Sequence, residues 1–365
     1  MDFTRTEAAQ DLSGLVGTIV DAVCTPQHQR ELDRLDQRID KTLWAKLIDA
    51  DVLSAAAPES AGGGGYDVME QTAVLTALGR QLAAVPYLDS VVLGAGALTR
   101  FGSAVLRHDW AAPAVAGTKL LTVALDGELG QAAVRAVGSG DGFRLTGTRT
   151  QVPFGPVADA FLVPAETDSG TKVFLVAATD PGVSVTSLET TGLSSSGELE
   201  LAGTELAADR LIGDSEVLAW LSTRRAVGLS AYQLGVLERA LELTAEYART
   251  REQFDRPIGS FQAVSQRLAD DYIDIKGLRL TLEQASWRLS EDLPADVEVS
   301  TAAFWAAEAG HRVAHTTVHV HGGVGIDMDH PVHRYFITAK QNEFALGGAT
   351  AQLRAIGREL ADAPA

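Results

Sequence analysis

Residues 247–270, YARTREQFDRPIGSFQAVSQRLAD, constrain the architecture more than any other stretch of the chain. Ahead of the turn, Leu234, Leu237, Leu241, Ala245 and Ala248 recur at steps of three and four. That spacing puts them on one face of a helix running toward Arg251. Beyond it Val264, Leu268, Tyr272, Ile275, Leu282 and Leu289 carry a second helix with the same spacing. Pro257 is expected in the first turn of that helix, where a missing N–H leaves no hydrogen bond unmade. The pattern is a helical hairpin whose turn holds Arg251, Phe254 and Arg256 and is followed by Gln262. Arg251 offers a planar fork of donors to a phosphate, Phe254 a flat face, and Gln262 a donor and an acceptor. The residues alone leave two readings open, a capped hairpin with a solvated arginine or an arm that grips a ligand.

The rest of the chain falls into three parts. Residues 1–115 read as helical, with helical spacing over 2–23 and 27–50 and further helices over 68–80 and 88–101. Leu12, Leu15, Ile19 and Val23 are expected to share the buried face of the first helix. Gly62 to Gly65 form a loop that can take positive φ or admit a close approach, and no Lys-Ser/Thr follows to make it a P-loop. Residues 116–215 change character. Short apolar or alternating runs at 120–125, 143–148, 160–163, 172–177 and 199–201 are separated by Gly, Asp and Pro, as in a small β-barrel or sandwich. Residues 216–365 return to long helices, interrupted at Pro294. The fold class is α+β, with a helical N-terminal domain, a middle β domain and a C-terminal four-helix bundle.

A length of 365 residues suffices for two or three packed units. The net charge of −18 argues against nucleic acid or an anionic membrane surface as partner, since both select a basic face. The single cysteine, Cys24, excludes an intrachain disulfide and reads as a buried thiol. With no apolar run long enough to span a bilayer and no leader-like N-terminus, a cytoplasmic protein is the simplest account.

The string R-x-x-F-x-x-P-I-x-x-F-Q-A-V, from Arg251 to Val264, resembles the signature of the acyl-CoA dehydrogenase family. The helix–strand–helix order and the Pro58-Glu59…Gly65 loop are similar to that family along essentially the whole chain. The resemblance implies FAD as cofactor and a tetramer, with this hairpin reaching across a subunit interface to the adenine and diphosphate end of the partner's FAD. It assigns that role to Arg251, Phe254, Gln262, Gly322 and Gly323, with His319 standing where a glutamine is usual.

The family reaction needs a carboxylate to take the α-proton while the flavin takes the β-hydride. The usual base position falls on Leu346 and the alternative one on Arg225. Neither can accept a proton at ordinary pH. The flavin-ring segments fall on residues 125–130 and 151–155, where Pro153 removes a backbone donor. Of the same-subunit polar contacts, which fall on Gly348 and Thr350, only Thr350 keeps a hydroxyl. An intact arm toward a partner and an eroded pocket of its own make the chain resemble the base-lacking subunit of the actinobacterial α2β2 enzymes that act on steroid side-chain (cholesterol catabolism) CoA thioesters. A homologous catalytic subunit, one FAD per unlike pair, and an electron-transfer flavoprotein as acceptor follow from that resemblance.

Glu343, three residues from the expected base position, is the fallback base for a self-sufficient homotetramer. Six of the eight histidines lie between 311 and 333, with His311, His315 and His319 on one helical face. No H-E-x-x-H pattern accompanies them, so packing or cofactor-edge roles are preferred to a metal. Ser195 and Ser196 lack the strand–turn–helix context of a hydrolase nucleophile. A flavin-free structural protein is the remaining alternative, and it leaves the grouping of Arg251, Phe254 and Gln262 without a purpose.

Overall fold

The computed structural model describes residues 6–126 and 131–362. The chain opens with α1 (Glu7–Val23), α2 (Pro26–Leu32), α3 (Lys41–Asp49), α4 (Val52–Ala55) and α5 (Val68–Arg80). A π-helical segment, Tyr87–Ala95, leads into α6 (Gly96–Phe101), and α7 (Ala104–Leu106) and α8 (Ala112–Val115) complete the helical part. The buried stripe of α1 is Ala9, Val16, Val20 and Val23, with Leu12 and Ile19 packed at its margin. Leu15 lies outside it, 42% exposed, because the stripe follows one helical row and Leu15 sits between rows.

The helix expected over 27–50 is broken across 33–40, where neither Gly nor Pro occurs. Two side chains make the break. Fully buried Asp40 caps α3 by accepting from the Leu43 N–H at 2.9 Å and also pairs with His28 at 2.8 Å. Arg38 turns inward and donates to Asp33 at 3.0 Å, to Gln29 at 2.5 Å and to the carbonyl of Leu193 at 2.7 Å.

Eight strands form one sheet: β1 (Leu121–Val123), β2 (Arg135–Ser139), β3 (Gly142–Pro153), β4 (Ala160–Thr167), β5 (Gly170–Ala177), β6 (Val183–Ser187), β7 (Ser196–Ala207) and β8 (Leu211–Gly213). The order is β6-β7-β3-β2-β4-β5-β8, with β1 pairing β4 in parallel. The strands β2, β6 and β8 carry too little apolar alternation to be seen in sequence. In β4 and β5 both faces are apolar because both are buried. Ala160, Leu162, Val173 and Leu175 join the helical core, while Phe161, Val163, Phe174 and Val176 fill a second core within the sheet. Each fully buried Phe there contributes roughly 1.5–3 kcal/mol.

The C-terminal part comprises α9 (Ser215–Thr250), a two-stranded ribbon of β9 (Glu252–Gln253) and β10 (Arg256–Pro257), then α10 (Gln262–Ser290), α11 (Asp296–His321), α12 (Val332–Ala345) and α13 (Gly348–Asp362). Gln233, fully buried on α9, ties the bundle together. Its amide donates to Ala306 and Ala339 carbonyls at 3.3 and 3.1 Å and accepts from Asn342 at 2.7 Å. Among the described residues no helix is long and apolar enough to cross a membrane.

Candidate functional site

The turn after α9 is not the simple helix start expected at Pro257. Pro257 is extended and pairs with Glu252 in the ribbon, and α10 begins five residues later at Gln262. Arg256 pairs with Gln253, so Phe254 and Asp255 are the two central residues of a tight hairpin, both at positive φ (54° and 60°). That pair of dihedrals is the one a two-residue hairpin requires, and it is costly for a phenylalanine. The result is a ring held out into solvent, 85% exposed, edge-on to Phe261 at 6.1 Å between centroids. Arg256 covers the face of Phe261 at 4.1 Å. Arg251 closes α9 with its N–H bonded to the Tyr247 carbonyl at 2.8 Å, and its own carbonyl accepts from Ile258 at 2.8 Å. Its guanidinium is exposed and has no protein acceptor among the described residues. Gln262 is exposed at the first turn of α10, which no side chain caps.

Tyr247, one turn before the hairpin, stacks on His321 at 4.4 Å and so fixes the end of α11 beside it. The His321 ring also bonds the Thr317 carbonyl at 2.8 Å, and burial holds it below the usual histidine range. This contact gathers exposed His319 and the Gly322–Gly323 turn onto the same end of the bundle. Gly322 has φ +61°, and a Cβ on Gly322 or Gly323 would meet nothing within 4 Å. The turn therefore leaves open backbone toward solvent, as a surface that receives a ligand or another chain does.

A second feature is a pocket that opens to solvent at a rim formed by Gln151, Thr190, Thr191 and Phe344. A cavity of about 480 Å³ separates α5 and the π-helical segment from α9, α12, the end of β3 and the loop 190–196. Arg225 spans it. One guanidinium nitrogen bonds Asp126, and another donates at 3.1 Å to the Ala345 carbonyl beside Leu346. Asp89 faces the same space from the π-helical segment; burial pushes its carboxyl up to about 6, opposed by the Arg225 charge. The loop is closed from two sides. Gln341 accepts from the Leu193 N–H at 3.1 Å and bonds the Ser194 hydroxyl, while Ser195 donates to Gln37 at 2.7 Å. At the end of β3, Pro153 has no N–H and its carbonyl accepts from Thr122 at 2.5 Å. Phe154 turns into the interior at φ 51°, its N–H taken by Ser195 at 3.0 Å.

Leu346 is buried in the helical core. Glu343 is not among the residues lining the cavity; its carboxylate is engaged by Lys340 at 2.5 Å and by His311 at 3.3 Å. Thr350 is exposed on α13. Of the segment 125–130, residues 127–130 lie outside the described residues. Cys24 is buried, and burial pushes its thiol up to about 12, so it is an inert core side chain. Among the described residues no group of three or more His, Cys, Asp or Glu side chains is placed to hold a metal ion. Sequence reasoning missed Asp89 and Gln341, neither of which sits in a recognisable motif, and placed Asp126 only as part of the segment 125–130.

The two ends of the chain match acyl-CoA dehydrogenase, N-terminal domain (residues 6–118) and acyl-CoA dehydrogenase, C-terminal domain (residues 217–361). The chain belongs to the acyl-CoA dehydrogenase family. It is 70% identical over 373 aligned residues to acyl-CoA dehydrogenase FadE27 of Mycobacterium tuberculosis, covering 100% of both chains. Among solved structures it superposes on a chain of the ChsE4-ChsE5 complex from Mycobacterium tuberculosis with TM-score 0.98, 72% identity and full coverage of both. A Tcur3481-Tcur3483 steroid ACAD variant follows, with TM-score 0.92, 38% identity and coverage of 98% and 99%. FAD is the cofactor of this family.

The two regions meet that cofactor differently. The exposed arm fits it, because Arg251, Phe254 and Gln262 present a cation, a ring and an amide that the chain itself leaves unused. The cavity does not fit a flavin ring. Its cations are committed, Arg225 to Asp126, Arg38 to Asp33 and Lys340 to Glu343; Pro153 offers no donor, and the neighbouring N–H groups of Phe154 and Leu193 are already bonded within the chain.

Proposed function

We propose that this chain is the non-catalytic subunit of a heterotetrameric, FAD-dependent acyl-CoA dehydrogenase. The observation that carries the proposal is Arg225 standing at one base position and latched to Asp126 and Ala345, with Leu346 at the other. A guanidinium that stays protonated cannot abstract a proton, and the leucine side chain has no lone pair to do so. Arg251, Phe254, Gln262, His319, Gly322 and Gly323 form the arm that would hold the adenine and diphosphate end of FAD seated in a homologous partner subunit. The Arg251 guanidinium would pair with phosphate and the Phe254 ring would lie against the adenine edge. FAD supplies the hydride acceptor, and the partner supplies the flavin-ring pocket and the glutamate.

The substrate class, a steroid side-chain CoA thioester, is supported by likeness to the Tcur3481-Tcur3483 steroid ACAD, and an electron-transfer flavoprotein as acceptor by family resemblance. The division into an N-terminal helical domain (1–115), a middle β domain (116–215) and a C-terminal bundle (216–365) belongs to the same proposal, with the bundle forming the tetramer core. Exposed Tyr272, Ile273, Leu280, Phe344, Leu353 and Leu360 on its helices supply the apolar surface for that contact.

Glu343→Gln in the co-expressed complex tests whether this chain has a displaced base. Glu343 faces Lys340 and His311, so turnover is expected to stay near the parent value with FAD content unchanged. A general base lost from the reaction would lower turnover by roughly 10²–10⁴-fold, and that result would favour the self-sufficient homotetramer.

A further inference from the structure

We propose that the cavity of this chain binds a neutral, largely apolar alcohol in place of a flavin. At about 480 Å³ it is within the range of small-molecule pockets, roughly 300–1,000 Å³. Leu75, Leu78, Leu88, Leu229 and Phe336 supply apolar wall. Two polar side chains in the lining have unmet capacity. The Thr338 hydroxyl is buried without a partner on a residue only 6% exposed. Asp89 is 8% exposed; its carboxylate accepts from its own backbone N–H, and no side-chain donor takes its remaining lone pairs among the hydrogen bonds of the described residues. The cation nearest in charge, Arg225, already donates to Asp126 and the Ala345 carbonyl. Arg38 and Lys340, also in the lining, are likewise engaged, the first by Asp33, Gln29 and Leu193, the second by Glu343 and His311.

Those two groups define the ligand. A buried carboxylate accepts and does not donate, and a threonine hydroxyl can do either. A ligand hydroxyl can donate to Asp89 or exchange a hydrogen bond with Thr338, satisfying groups whose burial is otherwise costly. A carboxylate ligand would meet Asp89 and Asp126 with no uncommitted cation beside them. The π-helical turn that carries Asp89 is the kind of irregular element that positions side chains at functional sites. The proposal rests on the reading that this chain does not hold its own flavin.

The test is titration calorimetry on the full-length chain in complex with its partner, using decanol as probe and decanoate and riboflavin as comparators. Decanol is expected to bind, and Leu229→Trp in this chain, which fills the cavity, is expected to remove one site per pair while FAD content stays at the parent value. Asp89→Asn is expected to weaken the same site about tenfold, as the loss of one hydrogen bond to a charged group does. No decanol binding, binding unaltered in Leu229→Trp, or decanoate or riboflavin binding tighter than decanol at the site Leu229→Trp removes would overturn the proposal. A flavin found on the isolated chain before any probe is added would instead overturn the subunit reading, so the two failures are distinguishable.

Discussion

Arg251→Ala in the assembled complex is expected to lower FAD retention by about 10–100-fold, the loss of a hydrogen-bonded contact to a charged group worth roughly 1.5–3 kcal/mol. The reasoning starts from what the residue does not do. Its guanidinium is exposed and bonds no protein acceptor among the described residues, so its removal leaves no buried group unpaired. A surface change of that kind shifts folding stability by within about 0.5 kcal/mol. The backbone that places it is held independently, through the Arg251 N–H to Tyr247 and the Ile258 N–H to the Arg251 carbonyl. Flavin loss with an unchanged thermal midpoint of the flavin-free protein would therefore report on ligand contact alone. Arg251→Lys is expected to recover only part of the loss, since an ammonium cannot reproduce a planar bidentate fork. Full FAD content and activity in Arg251→Ala would remove the clamp role.

The largest effect on stability is expected at the crossing of α5 and α9. Each helix contributes a glycine there. A Cβ on Gly235 would stand 2.0 Å from the Thr76 carbonyl oxygen and 2.8 Å from the Arg80 nitrogen. A Cβ on Gly79 would stand 2.1 Å from the Tyr232 carbonyl oxygen. These neighbours are backbone, so no rotamer relieves the clash and the helices must separate. The Thr76 hydroxyl bond to the Ala231 carbonyl, 3.1 Å, would be pulled apart with them. Gly235→Ala is expected to cost at least the 1–3 kcal/mol usual for an overpacked core, at about the upper end because the contact is rigid. Gly14→Ala is the control. It sits in α1 with nothing within 4 Å of its Cβ position, so alanine there should stabilise by roughly 0.4–1 kcal/mol. Thermal unfolding of both variants checks the pair. Equal midpoints would mean that the crossing tolerates separation.

The residues proposed for the arm stand out in sequence because they fall in two short stretches. Arg251 and Phe254 lie at the turn and Gln262 opens the helix after it, while Gly322 and Gly323 are adjacent. The hairpin itself was not legible. A tight two-residue turn normally announces itself by Asn-Gly or Gly, whereas here Phe254 and Asp255 occupy the left-handed positions. Local preference therefore pointed to a helix beginning at Pro257. The 33–40 break was invisible for a related reason, since Asp40 and Arg38 act through distant partners at His28 and Leu193. The proposed erosion of the pocket rests on Arg225, Leu346 and Pro153, which the sequence already displays. The meeting of Arg225 and Pro153 with Asp89 and Gln341 was not readable, because these residues come from separate segments and come together only in the folded chain. Whether Glu343 could reach the reaction was also undecidable from spacing. Its carboxylate is engaged by Lys340 and His311 only in the folded chain.

The central claim is that this chain grips FAD for another subunit and holds none itself. Flavin absorbance per polypeptide, measured on the chain purified alone and again after co-expression with a homologous partner, tests it most directly. The account predicts a lone chain without flavin and one FAD per unlike pair in the complex. One FAD per lone chain, bleached on addition of an acyl-CoA, would contradict it.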